Sequence, residues 1–76
     1  MKEVIDLIQT EYIQATKKFS EFNSAHEGLA VIWEEFDELK KEVWKNQKKR
    51  NINKMRKEAS HVAAMAIRLI IDICHR

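Results

Sequence analysis

Apolar residues recur at spacings of three and four along most of this chain, which is the period of an amphipathic α-helix. The pattern fills three stretches, and none shows the strict alternation that is typical of a β-strand. We therefore predict three helices, over residues 2–22, 25–47 and 52–74. The positions expected to face the core are Val4, Ile8, Tyr12 or Ile13, Ala15, Phe19 and Phe22, then Leu29, Ile32, Phe36, Leu39 and Val43, and finally Met55, Ala59, Val62, Ala63, Ala66, Ile70 and Ile73.

Polar residues mark the two turns between these helices. Ser24, followed three positions later by Glu27, forms a capping box in which each side chain satisfies a backbone N–H at the start of a helix. The polar segment 46–53 provides the second turn. Little else interrupts the helices, because the chain has no proline and its single glycine is Gly28.

A chain of 76 residues is long enough for one small domain, whose own core covers only a modest share of its apolar surface. Because 45% of the residues are hydrophobic, we expect self-association to cover the rest. We predict an all-α fold in which an N-terminal helix and a helical hairpin form a three-helix protomer, a single domain over residues 1–76. Protomers are expected to join in an oligomeric helical bundle, a dimer or a tetramer, with Trp33 and Trp44 in the oligomer core.

The charge balance does not indicate a nucleic-acid partner. The chain has 14 basic and 12 acidic side chains, for a net charge of +2. Segment 45–57 carries seven basic residues and no acid, so a small nucleic-acid-binding protein is a third, weaker alternative. Its weakness is the adjacent acidic helix face, which would repel phosphate unless a metal were bound. The single cysteine, Cys74, excludes an internal disulfide, and no apolar run reaches the roughly 20 residues of a transmembrane helix. We expect a soluble, cytoplasmic protein without a signal peptide.

The second predicted helix carries a high density of carboxylates. Four of them fall within about one and a half turns: Glu34, Glu35, Asp37 and Glu38. At about 100° per residue, Glu35 and Glu42 lie at the flank of the apolar seam, and Glu38 lies further round on the same side. Glu34 points nearly opposite the seam, and Asp37 lies on the other flank.

The third predicted helix adds a Glu-x-x-His pair. Glu58 lies about 80° from the centre of its seam, and His61 lies one turn along on the same side. A Glu-x-x-Glu pair that faces this Glu-x-x-His pair would form an oxygen-rich site suited to Mg²⁺ or Mn²⁺. The alternative is that these acids are ordinary solvated side chains, paired with nearby lysines.

The order of these residues resembles a known family. Glu34-Glu35-x-x-Glu38, followed twenty positions later by Glu58-x-x-His61, is similar to the EExxE and ExxD signature of the MazG-like, all-α nucleoside triphosphate pyrophosphohydrolases. The segments 24–28, 38–43 and 58–66 resemble the phage-associated and prophage branch of that family. The resemblance covers roughly residues 22–74.

This resemblance implies hydrolysis of a nucleoside triphosphate to the monophosphate and pyrophosphate, with Mg²⁺ as cofactor. The implied metal ligands are Glu35, Glu38 and Glu58, with His61 at the position of the family's aspartate. Glu34 or Glu38 is the candidate for orienting the attacking water. The basic side chains near the site that could bind the triphosphate are Lys41, Lys45, Lys54 and Arg68; the alternative for each is a solvated surface charge.

His61 departs from the family pattern, because imidazole suits Mg²⁺ less well than a carboxylate does. Three alternatives follow: Glu42 or Glu34 supplies the missing oxygen, His61 favours Mn²⁺ or another nitrogen-tolerant metal, or the centre is degenerate. The leading hypothesis is a homo-oligomeric, metal-dependent nucleotide pyrophosphohydrolase with each active centre at a subunit contact. Its rival is a catalytically degenerate helical interaction module on the same scaffold.

Overall fold

The computed structural model describes residues 1–75, and within that range it contains α-helices and no strand. Helix α1 spans Lys2–Lys18, α2 spans Ala25–Val43 and α3 spans Ile52–Leu69. A short 3-10 helix, Gln47–Lys49, lies in the second connection, and a π-helical segment, Ile70–Cys74, continues α3. The predicted all-α class is confirmed; Arg76, the last residue of the predicted domain, lies outside the described range. None of the helices in residues 1–75 combines the length and apolar character needed to cross a lipid bilayer.

Side-chain caps set the starts of α2 and α3. Ser24 Oγ accepts a hydrogen bond from the Glu27 N–H at 3.1 Å, as the capping box predicts. The return bond differs from that pattern, because Glu27 Oε1 accepts from the N–H of Asn23 at 3.2 Å. At the start of α3, Asn51 Oδ1 accepts from the Lys54 N–H at 3.1 Å.

Two helices end earlier than predicted. Helix α1 stops at Lys18 and not at residue 22, because the backbone becomes extended at Phe19 and leaves the helix axis. Helix α2 stops at Val43 and not at residue 47. Its end is held by the Arg50 guanidinium, which donates to the Val43 carbonyl at 2.7 Å, and Asn46 then caps the 3-10 helix.

Helix α3 is central to the protomer because it packs against both α1 and α2. The buried apolar core is small and consists of Phe22, Ala64 and Met65. The partly buried side chains that pack against it are Ile8, Tyr12, Ala15, Val31, Ile32, Leu69 and Ile73. Gly28 of α2 has no Cβ atom and therefore permits close contact of α2 with Leu69 and with the Phe22 ring. A Cβ atom at Gly28 would lie 2.6 Å from Leu69 Cδ1 and 3.1 Å from Phe22 Cδ2.

The predicted core faces of α2 and α3 are wrong in part. Leu29 and Phe36 of α2 are 54% and 51% exposed, whereas Glu42 on the same helix is buried. In α3 and its π-helical continuation, Ile70 is 46% exposed while polar side chains lie inside: Ser60, Arg68 and Asp72. Because these polar residues occupy part of the inner faces, some of the apolar positions that were expected to face the core turn outward. Val4 of α1 and Phe19, which directly follows α1, are exposed in the same way.

Arg68 and Asp72 attach the first connection, residues 19–24, to α3. Arg68 is 3% exposed, and its Nη2 donates to the Ser20 carbonyl at 2.7 Å. Its guanidinium also lies 4.3 Å from the centroid of the Phe22 ring. Asp72 Oδ2 accepts from the Phe22 N–H at 3.0 Å and lies 4.0 Å from Arg68 Nε. Two buried, oppositely charged side chains therefore hold the end of α1 in place.

Asp72→Ala should destabilise the protein strongly, because it removes the acceptor for Phe22 N–H and leaves the Arg68 charge buried without a carboxylate. We expect the free energy of unfolding to fall by about 2 to 4 kcal/mol. Urea denaturation followed by circular dichroism measures this change. The control is Asp6→Ala, which breaks an exposed pair with Lys2 and should cost less than about 0.5 kcal/mol. Equal losses in the two variants would contradict the structural role of Asp72.

Candidate functional site

The candidate site is organised around His61 of α3. Its Nδ1 atom lies 3.5 Å from Glu35 Oε2 on α2 and 3.6 Å from Glu58 Oε2 on its own helix. One ligand atom from each of these three side chains falls within 4.8 Å of the other two, a spacing that could accommodate a metal ion. We call Glu35, Glu58 and His61 the His61 centre.

Helix geometry explains why these three side chains meet. Glu58 and His61 are three residues apart on α3 and therefore share one face. Glu35 lies on the side of α2 that packs toward α3, which is also the side of the buried Gly28 and Glu42. All three side chains are partly shielded, with exposed fractions of 29% for Glu35, 15% for Glu58 and 26% for His61.

A fourth side chain, Glu11 of α1, reaches the same imidazole. Glu11 Oε2 lies 3.0 Å from Nε2, the other ring nitrogen of His61, so carboxylates from all three helices surround this residue. The sequence contains a signal for it: Glu11 follows Ile8 by three residues and precedes Ala15 by four, and both of these pack on the core. The family resemblance starts near residue 22 and gives no reason to examine α1.

Burial and like charges disfavour the ionised form of Glu35. Burial raises the pKa of the Glu35 carboxyl above its ordinary value, and His61 offsets part of that rise. Nearby Glu58, Glu38 and Glu34 raise this pKa further. In the folded chain the carboxylate form of Glu35 is therefore less favourable than in water. A nearby cation would lower the pKa of Glu35 again.

A cleft of about 700 Å³ opens beside the His61 centre. Glu35 and His61 line it together with Glu11, and its apolar wall is formed by Ala15, Val31, Ala64 and Met65. Binding sites for small molecules typically occupy about 300 to 1,000 Å³, so the cleft is large enough for a nucleotide. All of the side chains named here belong to one chain, and a site at a subunit contact stays a prediction.

The other predicted acids lie in three different environments. Glu34 is exposed and lines the cleft. Glu38 does not join the His61 centre, because it sits about 60° further round the helix than Glu35 and pairs with Lys41 at 3.3 Å. Glu42 is buried about two turns from Glu35 and serves an ion pair instead of the centre.

The predicted phosphate-binding side chains are engaged elsewhere. Lys45 and Lys54 both contact Glu42, at 3.0 and 3.5 Å, and the hydrogen bond from Lys45 is the main reason that the pKa of Glu42 is lowered. Lys41 pairs with Glu38, and Arg68, although it lines the cleft, is held by the Ser20 carbonyl. None of the four therefore presents an available charge to the cleft.

Two lysines that the sequence analysis did not single out line the cleft instead. They are Lys18 of α1 and Lys57 of α3, and both are exposed. Helical spacing could have identified them, since Lys18 lies two turns after Glu11 and Lys57 lies one turn before His61. Lys18 therefore shares a helix face with Glu11, and Lys57 shares one with His61.

Comparisons of this chain with protein-family models, with curated proteins and with solved structures find no match. Inferences about activity therefore depend on the side chains described above.

Glu35→Gln should stabilise the protein at neutral pH in the absence of metal. The folded state raises the pKa of Glu35, so this group favours folding below its unfolded pKa of about 4.3 and loses that contribution as pH rises through the folded value. After allowance for solvent screening, we expect the free energy of unfolding of the variant to exceed that of wild type by up to roughly 0.5 kcal/mol at pH 7. The difference should disappear at about pH 3.5. Urea denaturation at both pH values measures it. A variant less stable than wild type at pH 7 would contradict the crowding of like charges at the centre.

Proposed function

We propose that this protein is a metal-dependent nucleotide pyrophosphohydrolase, which hydrolyses a nucleoside triphosphate to the monophosphate and pyrophosphate. The observation that carries the proposal is the convergence of Glu35, Glu58 and His61 beside an open cleft of nucleotide size, which Glu35 and His61 line. The similarity of Glu34-Glu35-x-x-Glu38 and Glu58-x-x-His61 to the MazG-like signature supports this class of reaction.

The donor set of the His61 centre fits a divalent cation that accepts both oxygen and nitrogen. Glu35 and Glu58 offer carboxylate oxygens, which suit Mg²⁺ and Mn²⁺, while the imidazole of His61 favours Mn²⁺ over Mg²⁺. These three side chains would hold the ion. A bound ion of this kind neutralises phosphate charge and lowers the pKa of an attacking water.

The remaining roles fall to side chains that line the cleft. Glu34, next to Glu35 in sequence, is the candidate for accepting a proton from the attacking water. Lys18 and Lys57 are the candidates for binding the triphosphate, because the cleft offers them as exposed cations.

Release of pyrophosphate tests this proposal directly. The purified protein is incubated with each common ribo- and deoxyribonucleoside triphosphate and with Mg²⁺ or Mn²⁺, and we expect release from at least one nucleotide. Glu35→Gln and Glu58→Gln should each lower kcat/KM by at least about 100-fold, because each removes a charge that holds the ion. The control is Asp37→Asn, an exposed acid of α2 outside the centre, which should retain activity within about twofold.

A different function follows if no nucleotide releases pyrophosphate with either metal ion. The protein would then be a helical interaction module, in which the acids around His61 serve only to join the helices. One observation favours this alternative: the imidazole already contacts Glu11, Glu35 and Glu58, and thus links α1, α2 and α3 without an ion.

We further propose that the protein forms a homo-oligomer through the outer face of α2, which consists of Leu29, Trp33, Phe36 and Trp44. These side chains are 54%, 64%, 51% and 74% exposed and recur at helical spacing along one side. Contiguous large apolar side chains are uncommon on the surface of a monomer and are typical of an interface. In a two-fold dimer this face would meet the same face of a second copy.

Trp33→Glu should dissociate the oligomer, because it places a charge at the centre of the outer face. Light scattering coupled to size-exclusion chromatography should give the mass of two or more chains for wild type and of one chain for the variant. The control is Lys41→Gln, on the charged side of α2, which should leave the mass unchanged. A wild-type mass of one chain would contradict the interface.

A further inference from the structure

We propose that Glu11 positions His61 as a metal ligand, so that α1 sets the affinity and the metal preference of the His61 centre. This inference rests on the proposed function only in requiring that the centre binds a divalent cation. It assigns a role to a side chain of α1, the helix that the family signature does not include.

The three contacts of the imidazole are unequal. Nε2 lies 3.0 Å from Glu11, which is an ordinary hydrogen-bond distance, whereas Nδ1 lies 3.5 and 3.6 Å from Glu35 and Glu58. Glu11 is therefore the closest partner of the ring. It is also absent from the set of atoms that could share one ion, which contains only Glu35, Glu58 and His61 among residues 1–75.

A neutral imidazole has one nitrogen that carries a hydrogen and one that offers a lone pair. An Nε2–H that donates to Glu11 leaves the lone pair on Nδ1, the nitrogen that faces Glu35 and Glu58. Metal-binding histidines commonly donate their second N–H to a carboxylate in this way, which fixes the tautomer and the orientation of the ring.

Without Glu11 the opposite tautomer would be favoured. Two carboxylates face Nδ1 and attract a hydrogen to it, and an Nδ1–H cannot bind a metal. Glu11 competes with them from the other side of the ring, and its side chain is only 19% exposed, which strengthens the hydrogen bond relative to one in water. Packing of Ile8, Tyr12 and Ala15 on the core holds this part of α1 in place.

Metal titration of the full chain without nucleotide tests the inference independently of catalysis. Glu11→Ala should weaken Mn²⁺ binding about 10- to 100-fold in isothermal titration calorimetry. Mg²⁺ binding should weaken less, because Mg²⁺ depends more on the carboxylates of Glu35 and Glu58. The preference for Mn²⁺ over Mg²⁺ should therefore fall, and this ratio would not change if Glu11 only held the helices together.

A spectroscopic measurement separates positioning from general loss of structure. At saturating Mn²⁺, pulsed electron paramagnetic resonance detects the nitrogen of a directly bound imidazole. We expect this signal in wild type and in the control Glu3→Ala, an exposed acid of the same helix, and its loss or weakening in Glu11→Ala. Glu11→Gln keeps an acceptor oxygen for Nε2–H and should retain the signal with an intermediate affinity.

The possible results distinguish this inference from the proposed function. If wild type binds neither metal, both are overturned. If wild type binds Mn²⁺ and releases pyrophosphate while Glu11→Ala keeps its affinity, metal preference and nitrogen signal, only the role of Glu11 is overturned. Circular dichroism monitors the fold of each variant. If Glu11→Ala loses its helical signal, Glu11→Gln tests the inference instead. An affinity for Mn²⁺ and a metal preference equal to those of wild type would overturn it. An intermediate affinity with a reduced preference for Mn²⁺ would support it.

Discussion

Burial of Arg68 and Asp72 against the backbone of the first connection is the constraint on which the rest of the structure depends. Charged side chains leave water at little net cost only when other groups satisfy them, and here the partners are the Ser20 carbonyl and the Phe22 N–H. These bonds fix the path of the chain after α1 and bring the Phe22 ring against α2. They also hold α1 beside α3, which is the arrangement that allows Glu11 to reach His61.

The His61 centre is a second connection among the helices. It brings like charges together, whereas Arg68 and Asp72 carry opposite charges. Burial raises the pKa of Glu35 and the neighbouring carboxylates raise it further, in a protomer whose buried apolar core comprises three of the residues that the structure describes. Such a cluster lowers the stability of a small domain unless a cation offsets the repulsion. Any ligand that binds only the folded arrangement would stabilise it by mass action, so ion binding and packing of the three helices would be coupled.

Most of the secondary structure could be predicted from this sequence, because apolar periodicity and the Ser24–Glu27 cap are local signals. Periodicity identified part of the buried faces, including Ile8, Ile32 and Ile73. It missed Glu42, Arg68 and Asp72 in the interior, and it placed Leu29 and Phe36 inside although they face outward. Helical spacing identified Glu35, Glu58 and His61 as candidates, and the structure places them together. Helical spacing places Glu11, Lys18 and Lys57 on plausible faces of their own helices. Which of them meet at one site depends on how α1 docks on α3, a tertiary relation that no single-helix pattern contains.

The two tryptophans of the chain, Trp33 and Trp44, both lie on the outer face of α2. Within one protomer the two indoles stay largely in water, and the Lys40 ammonium lies 4.5 Å from the centroid of the Trp44 ring. Indole emission depends on the polarity around the ring, so unfolding of an isolated protomer would alter it little. A surface that covers the outer face would shift the emission to shorter wavelengths. Intrinsic fluorescence, the usual probe of folding, would in this protein report on contact between chains.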